Sequence, residues 1–254
     1  MSTTMRIASW GQPAFAAVMI ALGIQGLITG RFTAVWQPVP ADVPARQALV
    51  YLCALVSLGS GIGLLVTRGA ALAARVLLAL LVLWLLVFRL RDILRGPTGF
   101  DAWDGAAETA AMVCAALVLA TGPRGARIAR VLFGLALISF GAAHFVYLQP
   151  TASLVPRWVP SHSVVAAVTG AAFLAAAAGI LTGICARWAA TLVTLQIGLF
   201  TLLVWVPIVT VRGSKTAFQW SEFAISCALT AAAWVVADSY PPARQPREAD
   251  HARP

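Results

Sequence analysis

Long apolar runs separated by short polar turns dominate the chain, at 14–29, 48–67, 70–88, 105–121, 128–148, 164–182, 188–211 and 218–237. At 1.5 Å per helical residue, each run approaches or exceeds the roughly 30 Å of hydrocarbon in a bilayer. In lipid, backbone amides need partners inside the protein, so a spanning run is either a helix or a strand of a closed barrel. The runs are continuous and rich in Ala and Leu, without the alternation of a membrane strand, which predicts helices and excludes the barrel. The first run has no small-residue cleavage site before its polar flank at Arg31 and is expected to be a retained helix. The expected fold is therefore an all-α integral membrane protein with eight transmembrane helices.

The polar punctuation repeats. Gly30-Arg31-Phe32 is answered by Ala143-His144-Phe145, and VWQPVP at 35–40 by VPRWVP at 155–160. Each half then has a Gly- or Ala-rich second run and a long aromatic third run. A polar loop with Phe, Trp and an acid follows, FDAWDGAAE at 100–108 and FQWSE at 218–222. Repetition of this kind predicts a tandem duplication, 1–123 and 124–239, followed by a disordered Pro- and Arg-rich tail at 240–254. Four helices is an even number, so both halves start on the same side, as two parallel-oriented four-helix bundles, which excludes the inverted repeats of many transporters. Both Trp/Pro loops and both Trp/acid loops then share one face.

Composition strengthens the membrane reading. The chain is 60% hydrophobic and only 11% charged, with a mean hydropathy of +0.86, against about a quarter charged in soluble domains. The formal charge of +9 sits in loops and helix ends, where it suits anionic lipid headgroups; no basic patch with stacking aromatics points to nucleic acid. Ten basic and three acidic residues fall on the terminal side and eight and six on the loop side, giving +7 against +2. The expected placement is the inner membrane with both termini cytoplasmic.

Candidate chemistry is sparse, and each ionisable group at membrane depth is a candidate by default. His144 and Tyr147 end the fifth run, and His162 opens the sixth after Trp158, so both histidines lie on the loop face. They read first as structural or interfacial residues, with a site role as the alternative, and no accompanying ligand set points to a metal. Glu108 and Glu222 begin the fourth and eighth runs beside Trp103 and Trp220; a helix N-terminal role accounts for them, and a site role is the alternative. Arg89, Arg91, Asp92 and Arg95 read as an interfacial cluster that snorkels. Most tryptophans, Trp36 among them, lie near run ends as an aromatic belt, and Gln25 and Gln196 are expected to bond across helices. Cys53, Cys114 and Cys227 lie in runs, and none of the four cysteines forms a CxxC pair.

The order of motifs in the second half resembles the DoxX-like family of small four-helix membrane proteins. The resemblance rests on His144-Phe145, the VPRWVP loop, the TGAAFLAAAAGI stretch, and Trp220 with Glu222 before the last run. It covers about 120 residues well and the first half only as a diverged copy, where Arg31 stands in place of the histidine. Among the family's members are membrane subunits of quinone-linked oxidoreductases, so the resemblance implies a subunit that binds quinone or anchors a redox enzyme, with quinone the one cofactor expected. His144, Tyr147 and Glu222 are the expected polar handles, and Trp158, His162, Trp220 and Glu108 complete the candidate set. The alternatives are a non-enzymatic membrane scaffold or assembly factor and a carrier of small solutes or lipids. Expected partners are membrane lipids and a redox protein.

Overall fold

The computed structural model describes residues 10–210 and 216–241, and these are helical with no strand among them. Eight helices are long and apolar enough to cross a membrane: α1 (Gly11–Thr29), α2 (Arg46–Leu65), α3 (Ala70–Arg95), α4 (Phe100–Thr121), α5 (Pro123–Val146), α7 (His162–Thr182), α8 (Ala186–Thr210) and α9 (Ala217–Asp238). A short helix, α6 (Leu148–Leu154), follows α5. Leucines such as Leu52, Leu72, Leu83 and Leu192 lie exposed on outer helix faces, as lipid contact requires. The chain is a multi-pass membrane protein. The expected tail beyond Pro241 lies outside the described residues.

Hydrogen bonds sort the helix termini into two ends. At the terminal end, Asp238 near the close of α9 accepts from the Gly11 amide at 3.2 Å, Gln12 Nε2 reaches Leu64 O at 2.7 Å, and Arg130 of α5 reaches Ser239. At the loop end, Gln47 of α2 reaches Gly30 O, and Tyr147 after α5 donates to Asp101 of α4. Both α1 and α5 thus start at the same end, as an even helix number requires.

The packing does not divide into two separate four-helix bundles. In sequence order, α1 packs on α2, α2 on α3, α3 on α4, α4 on α5, α5 on α7, α7 on α8 and α8 on α9, and α9 returns to α1. The fourth helix of each half therefore leans on the first helix of the other, and α4 and α9 also meet each other at the centre. Two apolar clusters result, and α4 and α9 contribute to both: Met112 and Ala232 to one, Ala111 and Val236 to the other.

Small residues allow the tight pairs. A Cβ on Gly23 of α1 would stand 2.5 Å from Leu58 N of α2, and one on Gly170 of α7 would stand 2.6 Å from His144 Cβ of α5. In membranes, where lipid is as apolar as leucine, such close backbone approach replaces the hydrophobic effect as the source of helix association. Gly122, at φ 59°, and Pro123, in the first turn of α5, join α4 to α5 without a loop. Another local signal works at α9, where Thr216 and Gln219 form a reciprocal capping box.

The third helices of the two halves share one irregularity. Each runs fifteen residues as α-helix, Ala70–Trp84 and Ala186–Phe200, then makes a five-residue π-helical turn, Leu85–Arg89 and Thr201–Trp205. A π turn rotates the following side chains relative to an α-helix, and such turns cluster at functional positions. Here they carry Arg89 and Thr201 to the contacts described next.

Candidate functional site

The first π turn ends on Arg89, which points inward: the residue is 8% exposed. The interfacial, snorkelling arginine expected there is thus a buried one. Its Nε donates to Thr109 Oγ1 at 3.0 Å, and its Nη2 lies 4.0 Å from Glu108 Oε2. The guanidinium lies against Gly105, where a Cβ would stand 2.4 Å from Nη1. Glycine at 105 is therefore what admits the cation between α3 and α4.

Glu108 is corrected in the same way. Helix α4 starts at Phe100, five residues before the apolar run, because the polar stretch FDAWD is helical too. Glu108 is then on the third turn, too far in to meet the free amides of the first. Asp101, Asp104 and Glu108, at i, i+3 and i+7, share one face of α4. Asp104 accepts from Ser139 of α5 at 2.9 Å, and Glu222 of α9 lies within electrostatic range of Asp104 and Glu108. Glu108, Asp92 and Asp104 thus lie within electrostatic range of the Arg89 guanidinium, and Glu222 joins the group through Asp104 and Glu108.

Just outside this cluster, Tyr147 donates to Asp101. The bond holds the phenol proton, and the Tyr147 hydroxyl is pushed up to about 12, first by that hydrogen bond and then by burial and the charges of Asp101 and Asp104.

The remaining predicted residues separate. The His144 ring packs between Phe173 and Phe200, at centroid distances of 5.3 and 5.8 Å, with Nδ1 2.8 Å from Phe140 O; that bond fixes Nδ1 as the protonated nitrogen. His162 opens α7 beside a shallow surface hollow with Pro160 and Val164. Trp158 is 75% exposed, and Trp220, also exposed, meets Phe223 edge-on. The structure joins Glu108 and Glu222 through Asp104 and sets Tyr147 beside them, whereas His144, His162, Trp158 and Trp220 make other contacts.

A second feature lies toward the terminal end: a groove of about 680 Å³ between α1, α8 and α9. Arg187, Thr191, Thr194, Gly198 and Thr201 line it from α8, and Cys227, Thr230, Trp234 and Asp238 from α9. Ala14 and Val18 of α1 and Tyr240 complete the wall. Its deep end is tied by hydroxyls, with Thr201 Oγ1 2.7 Å from Ser226 Oγ and 3.0 Å from Thr230 Oγ1. None of these residues stands in the candidate set expected from sequence. The signal was present as Arg187, Thr191, Thr194, Gly198 and Thr201, a stripe of helical spacing on one face of α8.

Comparisons with protein-family models, with curated proteins and with solved structures find no match to this chain.

Proposed function

We propose that this protein is a DoxX-like, quinone-interacting membrane protein that arose by tandem duplication and serves a redox partner. The observation that supports the reading is the groove. It is mostly apolar, opens between three membrane helices, and carries a file of threonines along one wall, which is the mixture expected for a lipid-soluble molecule with a polar head. Of the handles first expected for quinone, His144 and Tyr147 are engaged elsewhere and Glu222 lies by the acidic cluster at the loop end, so the reading moves to α8 and α9. Residence in the inner membrane with cytoplasmic termini belongs to the same proposal and rests on the charge bias.

The test is equilibrium binding of decylubiquinone to the protein in lipid nanodiscs. A Cβ at Gly198 would meet only Thr230 Cγ2, at 3.4 Å, so Gly198→Leu fills the groove without striking backbone. Saturable binding that Gly198→Leu abolishes supports the proposal; absence of saturable binding to wild type removes it.

A second reading, docking of a partner protein, is favoured by aromatic side chains bared at the loop end: Trp158 at 75%, Phe218 at 67% and Trp103 at 49% exposed. A partner that co-purifies with wild type and is lost with Trp158→Ala and Phe218→Ala together would support it.

A further inference from the structure

Glu222, Ser226 and Thr230 follow one another at i, i+4 and i+8 along α9, and they join the acidic cluster to the groove. At the loop end, Glu222 lies within electrostatic range of Asp104 and Glu108. The α4 acids continue outward from there to Asp101, which is exposed. One turn deeper than Glu222, Ser226 is 7% exposed, and its Oγ stands 2.7 Å from Thr201 Oγ1. Thr201 and Thr230, with their hydroxyls 3.0 Å apart, line the deep end of the groove.

The hydroxyl bonds have a direction. Thr201 donates to Ile197 O at 3.0 Å and Thr230 to Ser226 O at 2.8 Å. Each hydroxyl has one proton, so Ser226 is the donor to Thr201. Among the described residues, no donor reaches the Ser226 lone pairs. The acid on the same face of α9 is Glu222, about 5–6 Å away between Cβ atoms, a gap that one bridging water spans.

Charge is arranged to match. Asp92, Asp104 and Glu108 face Arg89, and Glu222 adjoins the last two, so acids outnumber the buried cation. Leaving every one ionised would strand charge in apolar surroundings, and shared protons relieve it. In the groove, the charged lining residues Arg187 and Asp238 sit at the terminal end, with Arg130 behind Tyr240. Thr201 and Thr230 at the deep end are uncharged, which suits a neutral ring.

Resting on the quinone reading above, we infer that Asp101, Asp104, Glu108, Glu222, Ser226 and Thr201 form a proton path from loop-side solvent to a quinone ring at the deep end of the groove. Reducing a quinone to a hydroquinone takes two electrons and two protons. The electrons come from the redox partner, and the protons enter at Asp101. Each proton leaves Glu222 for Ser226, Ser226 gives its own to Thr201, and Thr201 gives its own to a quinone oxygen. Asp104 and Glu108 then reprotonate Glu222. Glu222 and Ser226 are proton carriers outside the groove lining.

Two readouts test the path in nanodiscs holding the full chain. Without quinone, dicyclohexylcarbodiimide, which modifies carboxyls that hold a proton in apolar surroundings, should label Glu222 at about pH 6 and much less at about pH 9. With decylubiquinone bound, reduction at an electrode should be slower by about tenfold or more per bound quinone in Ser226→Ala and in Glu222→Gln. Both variants should show a larger solvent isotope effect, and Ser226→Thr should restore the wild-type rate. If one variant fails to fold, the other decides. A wild-type rate in either folded variant, or a Glu222 that stays unlabelled at the lower pH, overturns the inference and leaves the quinone reading intact. Absence of saturable decylubiquinone binding to wild type removes the quinone reading, and this inference with it.

Discussion

Arg89 and Thr109 meet across the α3–α4 interface through a 3.0 Å hydrogen bond from Nε to Oγ1, and that contact anchors a guanidinium among acids at the loop end of the molecule. The cluster holds Glu108, Asp92 and Asp104 against this buried cation. Removing one member of a buried ion pair leaves the other charge uncompensated, which costs about 3–5 kcal/mol in well-formed pairs. The 4.0 Å separation of Arg89 from Glu108 puts this pair at the low end. Arg89→Ala is expected to destabilise the protein by about 3 kcal/mol, and the double change Arg89→Met with Glu108→Gln to recover at least half of that. Denaturation in detergent micelles, compared across a double-mutant cycle, measures both; a double variant no more stable than Arg89→Ala would show that the two side chains are not coupled.

Glycines in this fold differ sharply in what surrounds them. A methyl group on Gly23 would collide with backbone of α2, whereas nothing lies within 4 Å of a Cβ on Gly59. Gly23→Ala must push α1 and α2 apart and should cost more than about 2 kcal/mol, in the range of overpacked cores. Gly59→Ala should be neutral or stabilise by up to about 1 kcal/mol, because alanine loses less backbone entropy in a helix. Melting temperatures of the two variants in the same detergent should move in opposite directions or differ by many degrees.

Tyr147 supplies the pH dependence. Its phenol donates to Asp101, a contact that pushes its pKa up to about 12, above the ordinary value near 10. The protonated form makes the contact, so a raised pKa means that its contribution is fully present below about pH 10 and is lost as pH rises through about 12. Ultraviolet titration should show a late-ionising tyrosine that Tyr147→Phe deletes. Asp101→Asn removes the charge and should move that component down; an unchanged titration in this variant would sever the link between the two residues.

Much of the fold could be read from apolar runs alone, since length and continuity decide whether a helix can span lipid. The runs missed polar helix. Residues 100–104 are as helical as those after them, and overlooking this misplaced Glu108 at a helix end and hid the acidic face Asp101, Asp104 and Glu108. Burial of Arg89 was not legible either, because the π turn that rotates it inward has no composition signature. The exchange of fourth helices depends on which small-residue faces meet, a choice among several Ala-rich surfaces that periodicity does not rank. Gln196 did behave as read, donating to Thr169 O of α7 at 3.0 Å, since a part-buried amide facing lipid has few other ways to be satisfied.

Trp36 in VWQPVP and Trp158 in VPRWVP both read as interfacial from sequence alone. The structure separates them: Trp36 is 1% exposed and Trp158 75%. Trp36 sits in a 3-10 turn that folds back into the first lobe, where its ring packs edge-on against Trp84 at 5.1 Å and its Nε1 donates to Ser57 Oγ at 3.0 Å. Ser57 is itself fully buried, so the indole also satisfies a hydroxyl that would otherwise be stranded. Trp36→Ala should therefore cost about 3–5 kcal/mol through the cavity alone, and Trp36→Phe about 1 kcal/mol for the lost hydrogen bond. Trp158→Ala should change stability by less than about 0.5 kcal/mol. Equal losses at 36 and 158 would mean that the first loop does not fold into the lobe.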